Sequence, residues 1–290
     1  MATEFQNTLK QYQNTVEAYL DTCFIDVLPQ KQLFDAMRYS LLAGGKRIRP
    51  VLVLEFCRIC GGDWKKALPF AAAIEMVHTY SLIHDDLPCM DNDDYRRGKL
   101  TNHKVFGEAQ AVLAGDALLT AAFDTIASAD APAEVRIQVV KILAEAAGEK
   151  GMVGGQVLDI DGENRKLSED QVHTIHRLKT GALISAACRM GAAAGEATAE
   201  QMQAAKVYAE AVGLAFQIRD DMLDVMGDAA KLGKTTGMDT NKNTFASLYG
   251  IERCKDLIAA ENQKALDALS AFDDTGFLEE LTELLASREF

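Results

Sequence analysis

Two short stretches of this chain gather more carboxylates than a helix surface needs. The first is HDDLPCMDNDDYRRGK, residues 84–99, where Asp85 and Asp86 close a strongly apolar run and Asp91 follows six residues after Asp85. The second is FQIRDDMLD, residues 216–224, with Asp220 and Asp224 at i and i+4 in an apolar segment that includes Leu214, Phe216, Ile218, Met222 and Val225. At about 100° per residue, Gln217, Asp221 and Asp224 share one narrow stripe of a helix, and His78, Ser81 and Asp85 share another. Acidic side chains crowded at the edge of apolar helices repel one another unless cations lie between them. Hard oxygen ligands without a Cys or His partner suit Mg²⁺, which takes a few carboxylates and fills its other positions with water and phosphate oxygens. A lone Asp pair on a helix ordinarily marks a solvated face or a cap. Two such groups, each trailed by Lys, Arg and Gly, point instead to metal-assisted phosphate chemistry.

The 290 residues carry a net charge of −13. That charge repels nucleic-acid phosphates and opposes an anionic membrane surface, so a nucleic-acid binder is excluded and any anionic substrate needs local Lys/Arg or a bridging metal. Hydrophobic residues make up 48%, an ordinary globular share. With only 5 prolines, a turn-rich β-sandwich or barrel is not expected. No apolar run reaches the roughly 18 residues of a membrane span. The start, MATEFQNTLKQYQ, has no basic region followed by an apolar run, so no signal peptide is expected. Of the 6 cysteines, Cys57 and Cys60 form the single CxxC, inside an apolar helical stretch, which argues against a zinc or redox site. A reducing cytoplasm is the expected compartment.

The elements that must position these groups read as helices. Residues 3–28 are amphipathic and stop at Pro29; 31–43 end at Gly44-Gly45; Pro50 opens VLVLEFCRIC, which closes at Gly61-Gly62. Further helices are expected over 64–87, 105–129, 133–150, 169–193, 198–227, 252–271 and 276–287, with irregular chain at 44–49, 88–104, 151–168 and 228–247. Pro88 should disturb the helix that ends at the first carboxylates. No period-2 alternation supports a strand. One all-α domain over 1–290, with functional loops at one end, is the expected organisation.

The segments DDLPCMD and DDMLD resemble the two aspartate-rich motifs of the trans-prenyltransferases, the short-chain isoprenyl diphosphate synthases. The resemblance extends to GGKRIRP at 44–50, EMVHTYSLIHDD at 75–86, RRGK at 96–99, LAGDALL at 113–119, GGQVLD at 154–159, KTGALI at 179–184 and LGKTTG at 232–237. It covers about residues 31–250, in the family's order, and is closest to the bacterial and plant-type farnesyl/geranylgeranyl diphosphate synthases, whose first motif carries two extra residues, here within Leu87–Met90.

The resemblance implies an isoprenoid-synthase-type helical bundle around a central cavity, a homodimer, and a Mg²⁺-assisted reaction. An allylic diphosphate loses diphosphate, the double bond of isopentenyl diphosphate attacks the allylic cation, and a proton leaves to the released diphosphate. Asp85, Asp91 and Asp220, with Asp86 and Asp224, are implied to hold Mg²⁺ from both sides of a cleft; Arg96, Lys179 and Lys234 to contact the allylic diphosphate; Lys46, Arg49, His78 and Arg97 to hold isopentenyl diphosphate. Thr180 and Gln217 match positions near the allylic diphosphate and the cation, and Gln156 and Asp159 match the family's GGQxxD. Arg49 also precedes a helix N-terminus, where free N–H groups and the helix dipole favour an anion. Lys242 follows Lys234 by eight residues, two fewer than the family's usual spacing, and Ala246 stands where Pro is common, so its diphosphate contact is an open expectation. His84 is read as structural, and His103, His173 and His176 carry no assigned role.

Tyr80 and Ser81 lie five and four residues before Asp85, where the family sets product length. An aromatic at the fifth position favours the C15 product, which points to farnesyl diphosphate, with the geranylgeranyl product as the alternative, although five residues is about 140° round the helix from Asp85. Three rivals are weighed. A phosphohydrolase of the HD type, suggested by His84-Asp85, needs more His ligands and no second aspartate motif. A terpene cyclase of the same fold would not use the isopentenyl group. A non-catalytic subunit would be expected to have lost aspartates that are intact here.

Overall fold

Several helices begin at a residue whose side chain caps them. Thr3, Ser168 and Thr244 each form a capping box with the residue three positions on (Gln6, Gln171 and Ser247), satisfying amide donors that a first turn leaves open. The computed structural model describes residues 3–25, 28–163, 165–232 and 243–287, with side chains described outside 224–232. The described chain is all-α apart from one small hairpin. Its helices are α1 (Glu4–Asp21), α2 (Lys31–Leu41), α3 (Ile48–Ile59), α4 (Leu68–Asp85), α5 (Asn102–Phe106), α6 (Glu108–Ala127), α7 (Ala133–Ala147), α8 (Met152–Gly162), α9 (Glu169–His176), α10 (Ala182–Ala194), α11 (Ala199–Leu232), α12 (Phe245–Ala268) and α13 (Gly276–Ser287). No helix among the described residues is long and apolar enough to cross a membrane.

The chain gathers into two compact units, Met1–Lys141 with Ala193–Glu196, and Ile142–Ala192 with Ala197–Phe290. In the first, α4 packs against α3 and α6. It is buried nearly all round, from Phe70 and Ala71 through Ile74, Met76 and Val77 to Ile83. In the second, α11 packs against α12, and Val172, Ala215, Ile218, Met222, Phe245, Cys254 and Ile258 form a core.

Several sequence expectations need correction. A strand pair does form: β1 (Tyr95–Arg96) runs antiparallel to β2 (Lys99–Leu100). Its two-residue loop, Arg97-Gly98, has φ of 52° and 74°, the left-handed pair that a tight hairpin of this kind requires. Strands of two residues are too short to show alternation. Residues 152–162, expected to be irregular, form α8. Its glycines are there for close approach: a Cβ on Gly155 would lie 2.3 Å from the Lys179 amide nitrogen. The helix expected over 169–193 is interrupted by a π-turn at Arg177–Gly181. Finally, α11 runs on to Leu232 and α12 starts at Phe245, because Thr244 caps it; the later start at 252 marks only the segment after Gly250, whose φ of 74° breaks the helix. The first helix is also shorter than expected: α1 stops at Asp21 and not at 28. As expected, α4 stops before Pro88.

Candidate active site

The first aspartate group is built by the end of α4 and the turn that follows it. The Asp86 amide closes the last helical turn on the Leu82 carbonyl, and the Met90 and Asn92 amides both return to Leu87 O. This curl brings the Asp91 amide to 2.8 Å from the Asp85 carbonyl, so residues six apart become backbone neighbours. Asp85 is half-buried and Asp91 exposed. Asp86 is buried, and Arg96 Nε reaches its two oxygens at 2.8 and 3.0 Å. Burial raises the Asp86 carboxyl and the Arg96 contact opposes that rise. Burial alone would weaken Arg96 as a base, but the hydrogen bond and charge of Asp86 hold its guanidinium above the usual range. In this arrangement the expected phosphate ligand Arg96 and the expected metal ligand Asp86 are partners.

His84 turns away from the carboxylates, as the structural reading expects. Its Nε2 lies 3.1 Å from Val112 O, and its ring lies over Gly115, where a Cβ would come within 2.1 Å. The oxygen donors at this end of α4 are therefore carboxylates, a set suited to Mg²⁺. Among the described residues no three His, Cys, Asp or Glu side chains already converge on one point. A cation that draws its remaining ligands from water and phosphate fits such a donor set.

The cationic group gathers around His78, earlier on the same helix. Arg49 stands in the first turn of α3, with one terminal nitrogen 3.5 Å from His78 Nε2. Arg97, at the tip of the β1–β2 hairpin, donates to the Gly44 carbonyl and lies flat over Gly45, where a Cβ would come within 3.0 Å of its guanidinium. Gly44-Gly45 is thus the surface on which Arg97 rests. Burial, then the charges of Arg49, Arg97, Arg47 and Arg96, push His78 well below its usual range, so its imidazole is neutral. Burial also lowers Arg49, and the nearby Arg97 adds to this against the pull of Glu75. Arg49 Nε is buried and meets no hydrogen-bond acceptor among the described residues. Lys46 is exposed, its carbonyl accepting from Gln13. Desolvated cations with an unused donor form a site that an anion would complete.

Two turns of α4 separate His78 from Asp85, about 10 Å along the axis. Tyr80 lies between them, 7% exposed, with its ring edge-on to His84 at 5.6 Å. Ser81 donates back to the His78 carbonyl.

The second unit assembles another polar chain. Thr180 Oγ1 donates to Gln217 Oε1 at 3.0 Å; Gln217 Nε2 donates to Asp221 Oδ1 at 2.9 Å; Asp221 Oδ2 accepts the Phe245 amide at 2.8 Å. Lys179 Nζ is 2.5 Å from Asp159 Oδ2. Gln156 is half-buried on the same helix α8 as Asp159, and Asp220 is half-buried on α11. The backbone of Asp224 continues α11, but its side chain lies outside the described residues, as do Lys234 and Lys242 in full.

Sequence reasoning missed several residues that hold these groups. His176 stacks on Phe245 at 4.9 Å, and burial pushes its imidazole down to about 4. His173 meets the same ring edge-on at 4.8 Å. Asn243 fastens the chain before α12, accepting from the Leu167 amide and donating to the carbonyls of Gly162 and Arg165. Arg47 and Glu75 form a buried ion pair. Glu75 carried a signal, an acidic residue inside a run that is otherwise apolar from Leu68 to Val77. Burial raises the Cys57 thiol to about 12 and that of Cys60 to about 11, so both stay protonated, against the thiolate that zinc or redox chemistry needs.

Residues 30–285 match the polyprenyl synthetase family. The chain is 47% identical over 292 residues to the farnesyl diphosphate synthase of Geobacillus stearothermophilus, covering 99% of this chain and 97% of that one. It is 48% identical over 251 residues to large subunit 1 of the chloroplastic heterodimeric geranylgeranyl pyrophosphate synthase of Arabidopsis thaliana, covering 83% of this chain and 68% of that one. The crystal structure of an FPP/GFPP synthase from Zymomonas mobilis is similar with a TM-score of 0.89 at 35% identity, over 99% of this chain and 100% of that one.

Proposed function

This chain belongs to the polyprenyl synthetase family, and from that premise we infer that it is a prenyltransferase that condenses an allylic diphosphate, dimethylallyl or geranyl, with isopentenyl diphosphate to make farnesyl diphosphate. The observation that carries the reading is the presence of two unlike charged groups along α4. Carboxylates of the metal-binding kind stand at its end, and two turns earlier Arg49 of α3, with a donor to spare, and Arg97 of the hairpin gather at His78. A reaction with two diphosphates, only one of which must be torn off, calls for that separation.

Asp85, Asp91 and Asp220, with Asp86 and Asp224, hold Mg²⁺ in this reading. Bound Mg²⁺ supplies the positive charge that stabilises diphosphate as it leaves the allylic carbon. Arg96, Lys179 and Lys234 bind that diphosphate, and Asp159 orients the Lys179 ammonium. Lys242 is kept as a further diphosphate contact. Lys46, Arg49, His78 and Arg97 hold isopentenyl diphosphate away from the metal. Neutral His78 donates or accepts without adding charge, while the guanidinium groups supply fixed donors. The Thr180 hydroxyl and Gln217 amide form a dipole pair beside the reacting allyl group. Apolar helix surface excludes water from the cation. The released diphosphate takes the proton, so no side chain is assigned as general base. Tyr80, with Ser81 beside it, limits growth to C15. The enzyme acts as one catalytic domain over 1–290, in the cytoplasm, as a homodimer.

The geranylgeranyl product is the second reading, supported by the Arabidopsis relative's identity; the aromatic at position 80 favours the shorter chain. Radiolabelled isopentenyl diphosphate, geranyl diphosphate and Mg²⁺ should yield an acid-labile product that chromatographs as farnesol after dephosphorylation. A C20 alcohol as the main product would select the second reading. No acid-labile product, with active controls, would overturn both.

A further inference from the structure

The start of α3 and its N-cap residue meet α4 through two neighbouring contacts. The outer one is Arg49 against His78, part of the candidate isopentenyl diphosphate site. The inner one is Arg47 against Glu75, 2.5 Å apart. Glu75 and His78 are one turn apart on α4, and Arg47 and Arg49 flank Ile48, so the two contacts are successive rungs between the same two segments. The outer rung is half-buried. The inner one is closed: Arg47 and Glu75 are each 3% exposed. Arg47 is held from two further directions, its Nε 2.7 Å from Glu17 on α1 and its other terminal nitrogen 2.7 Å from the Leu41 carbonyl at the end of α2.

This is a costly way to join four helices. Arg47 has φ of 51°, a left-handed conformation that costs a non-glycine residue on the order of 1 kcal/mol. A buried ion pair contributes little net stability, and well-packed apolar side chains would join the helices as firmly. The pair does two things that apolar residues would not. Its planar fork fixes the orientation of the turn on which Lys46 and Arg49 stand. With Glu17 added there are two carboxylates to one guanidinium, so the trio Glu17, Arg47 and Glu75 offsets the mutual repulsion of Arg49 and Arg97.

We propose that Arg47 and Glu75 are positioning residues for the isopentenyl diphosphate site: the buried pair locks the turn that aims Lys46 and Arg49, and Glu75 supplies the counter-charge that keeps Arg49 and Arg97 together beside His78. The inference rests on the assignment of that site under the proposed function.

The test uses the full-length enzyme and three variants, Arg47→Lys, Glu75→Gln and the milder Glu17→Gln, whose side chain is 38% exposed. KM is measured for isopentenyl diphosphate at saturating geranyl diphosphate and the reverse, alongside the thermal unfolding midpoint. Arg47→Lys and Glu75→Gln should raise KM for isopentenyl diphosphate about tenfold, with KM for geranyl diphosphate and kcat within about threefold; tenfold corresponds to roughly 1.4 kcal/mol. Glu17→Gln should move the same constant the same way by about threefold. A merely structural pair would lower the midpoint and move both KM values together, or neither, and either result overturns the proposal. If the two buried variants do not fold, Glu17→Gln decides: a selective rise supports the proposal, and an unchanged KM overturns it. A wild-type enzyme that fails to condense the substrates would instead overturn the functional reading.

Discussion

Tyr80 and Asp221 show how much one residue's surroundings decide. Tyr80 is buried on α4 between the cationic group and the carboxylates, where burial, then the charge of Asp85, raises its phenol. As a floor for the growing chain it should act by volume. Tyr80→Ala should shift the main product from C15 to C20, read by chromatography of dephosphorylated mixtures, and the cavity should cost on the order of 3 kcal/mol of stability. An unchanged product profile would remove Tyr80 from length control. Asp221 sits beside Asp220, yet both its oxygens accept from the protein, one from Gln217 and one from the Phe245 amide. Asp221→Asn sets an amide donor against one of those two donors, at about 1–3 kcal/mol. It should lower the unfolding midpoint and leave the Mg²⁺ concentration for half-maximal activity unchanged, whereas Asp220→Asn should raise that concentration. At this scale the sequence was legible where residue type alone implies chemistry, as for the paired aspartates. It was opaque at Arg47 and Glu75, because a buried charge and a solvated one are written with the same letter.

Elements were legible wherever long apolar periodicity set them, as in α4 and α11, and illegible wherever glycine served packing. Gly154-Gly155 looks like a helix breaker. Here it lets α8 touch the π-turn, bringing Asp159 to the Lys179 ammonium. The π-turn inserts its extra residue at the site where Lys179 and Thr180 are presented, a common setting for such bulges. The same reasoning explains the β1–β2 hairpin: its loop places Arg97 on the bare backbone of Gly44-Gly45, and no alternation could announce it. A prediction belongs to this scale. A methyl group on Gly155 would meet Lys179 N at 2.3 Å and the Leu178 carbonyl carbon at 2.8 Å, both backbone atoms that cannot swing aside. Gly155→Ala should therefore cost about 1–3 kcal/mol or more, and kcat should fall further than the loss of folded protein explains, because Lys179 and Thr180 move with the turn. Gly276→Ala, at the start of α13, where a new Cβ meets nothing within 4 Å, is the control and should leave kcat within about twofold. Equal losses in both variants would detach the α8 contact from catalysis.

For the whole molecule, charge is the governing quantity. At −13 the chain repels a free diphosphate at long range, and the carboxylates of both aspartate motifs sharpen that repulsion locally. Isopentenyl diphosphate has a cationic group to offset this; the allylic diphosphate meets Arg96, Lys179 and Lys234 together with the five aspartates assigned to the metal, and needs a divalent cation between it and those carboxylates. The two substrates should therefore differ in how they stabilise the fold. A ligand that binds only the folded state at 100 times its Kd adds about 2.7 kcal/mol, worth several degrees in the unfolding midpoint of a chain of this length. Geranyl diphosphate with Mg²⁺ should raise the midpoint by that order, and EDTA should abolish both the shift and turnover without unfolding the enzyme. Isopentenyl diphosphate should give a smaller shift that survives EDTA, since Arg49, His78 and Arg97 would bind it through their own donors and none of them is assigned to the metal. Differential scanning fluorimetry with each substrate, with and without Mg²⁺, reads all four conditions. A geranyl diphosphate shift that persists in EDTA would mean that side-chain cations alone bind it, and the aspartate motifs would then need another explanation.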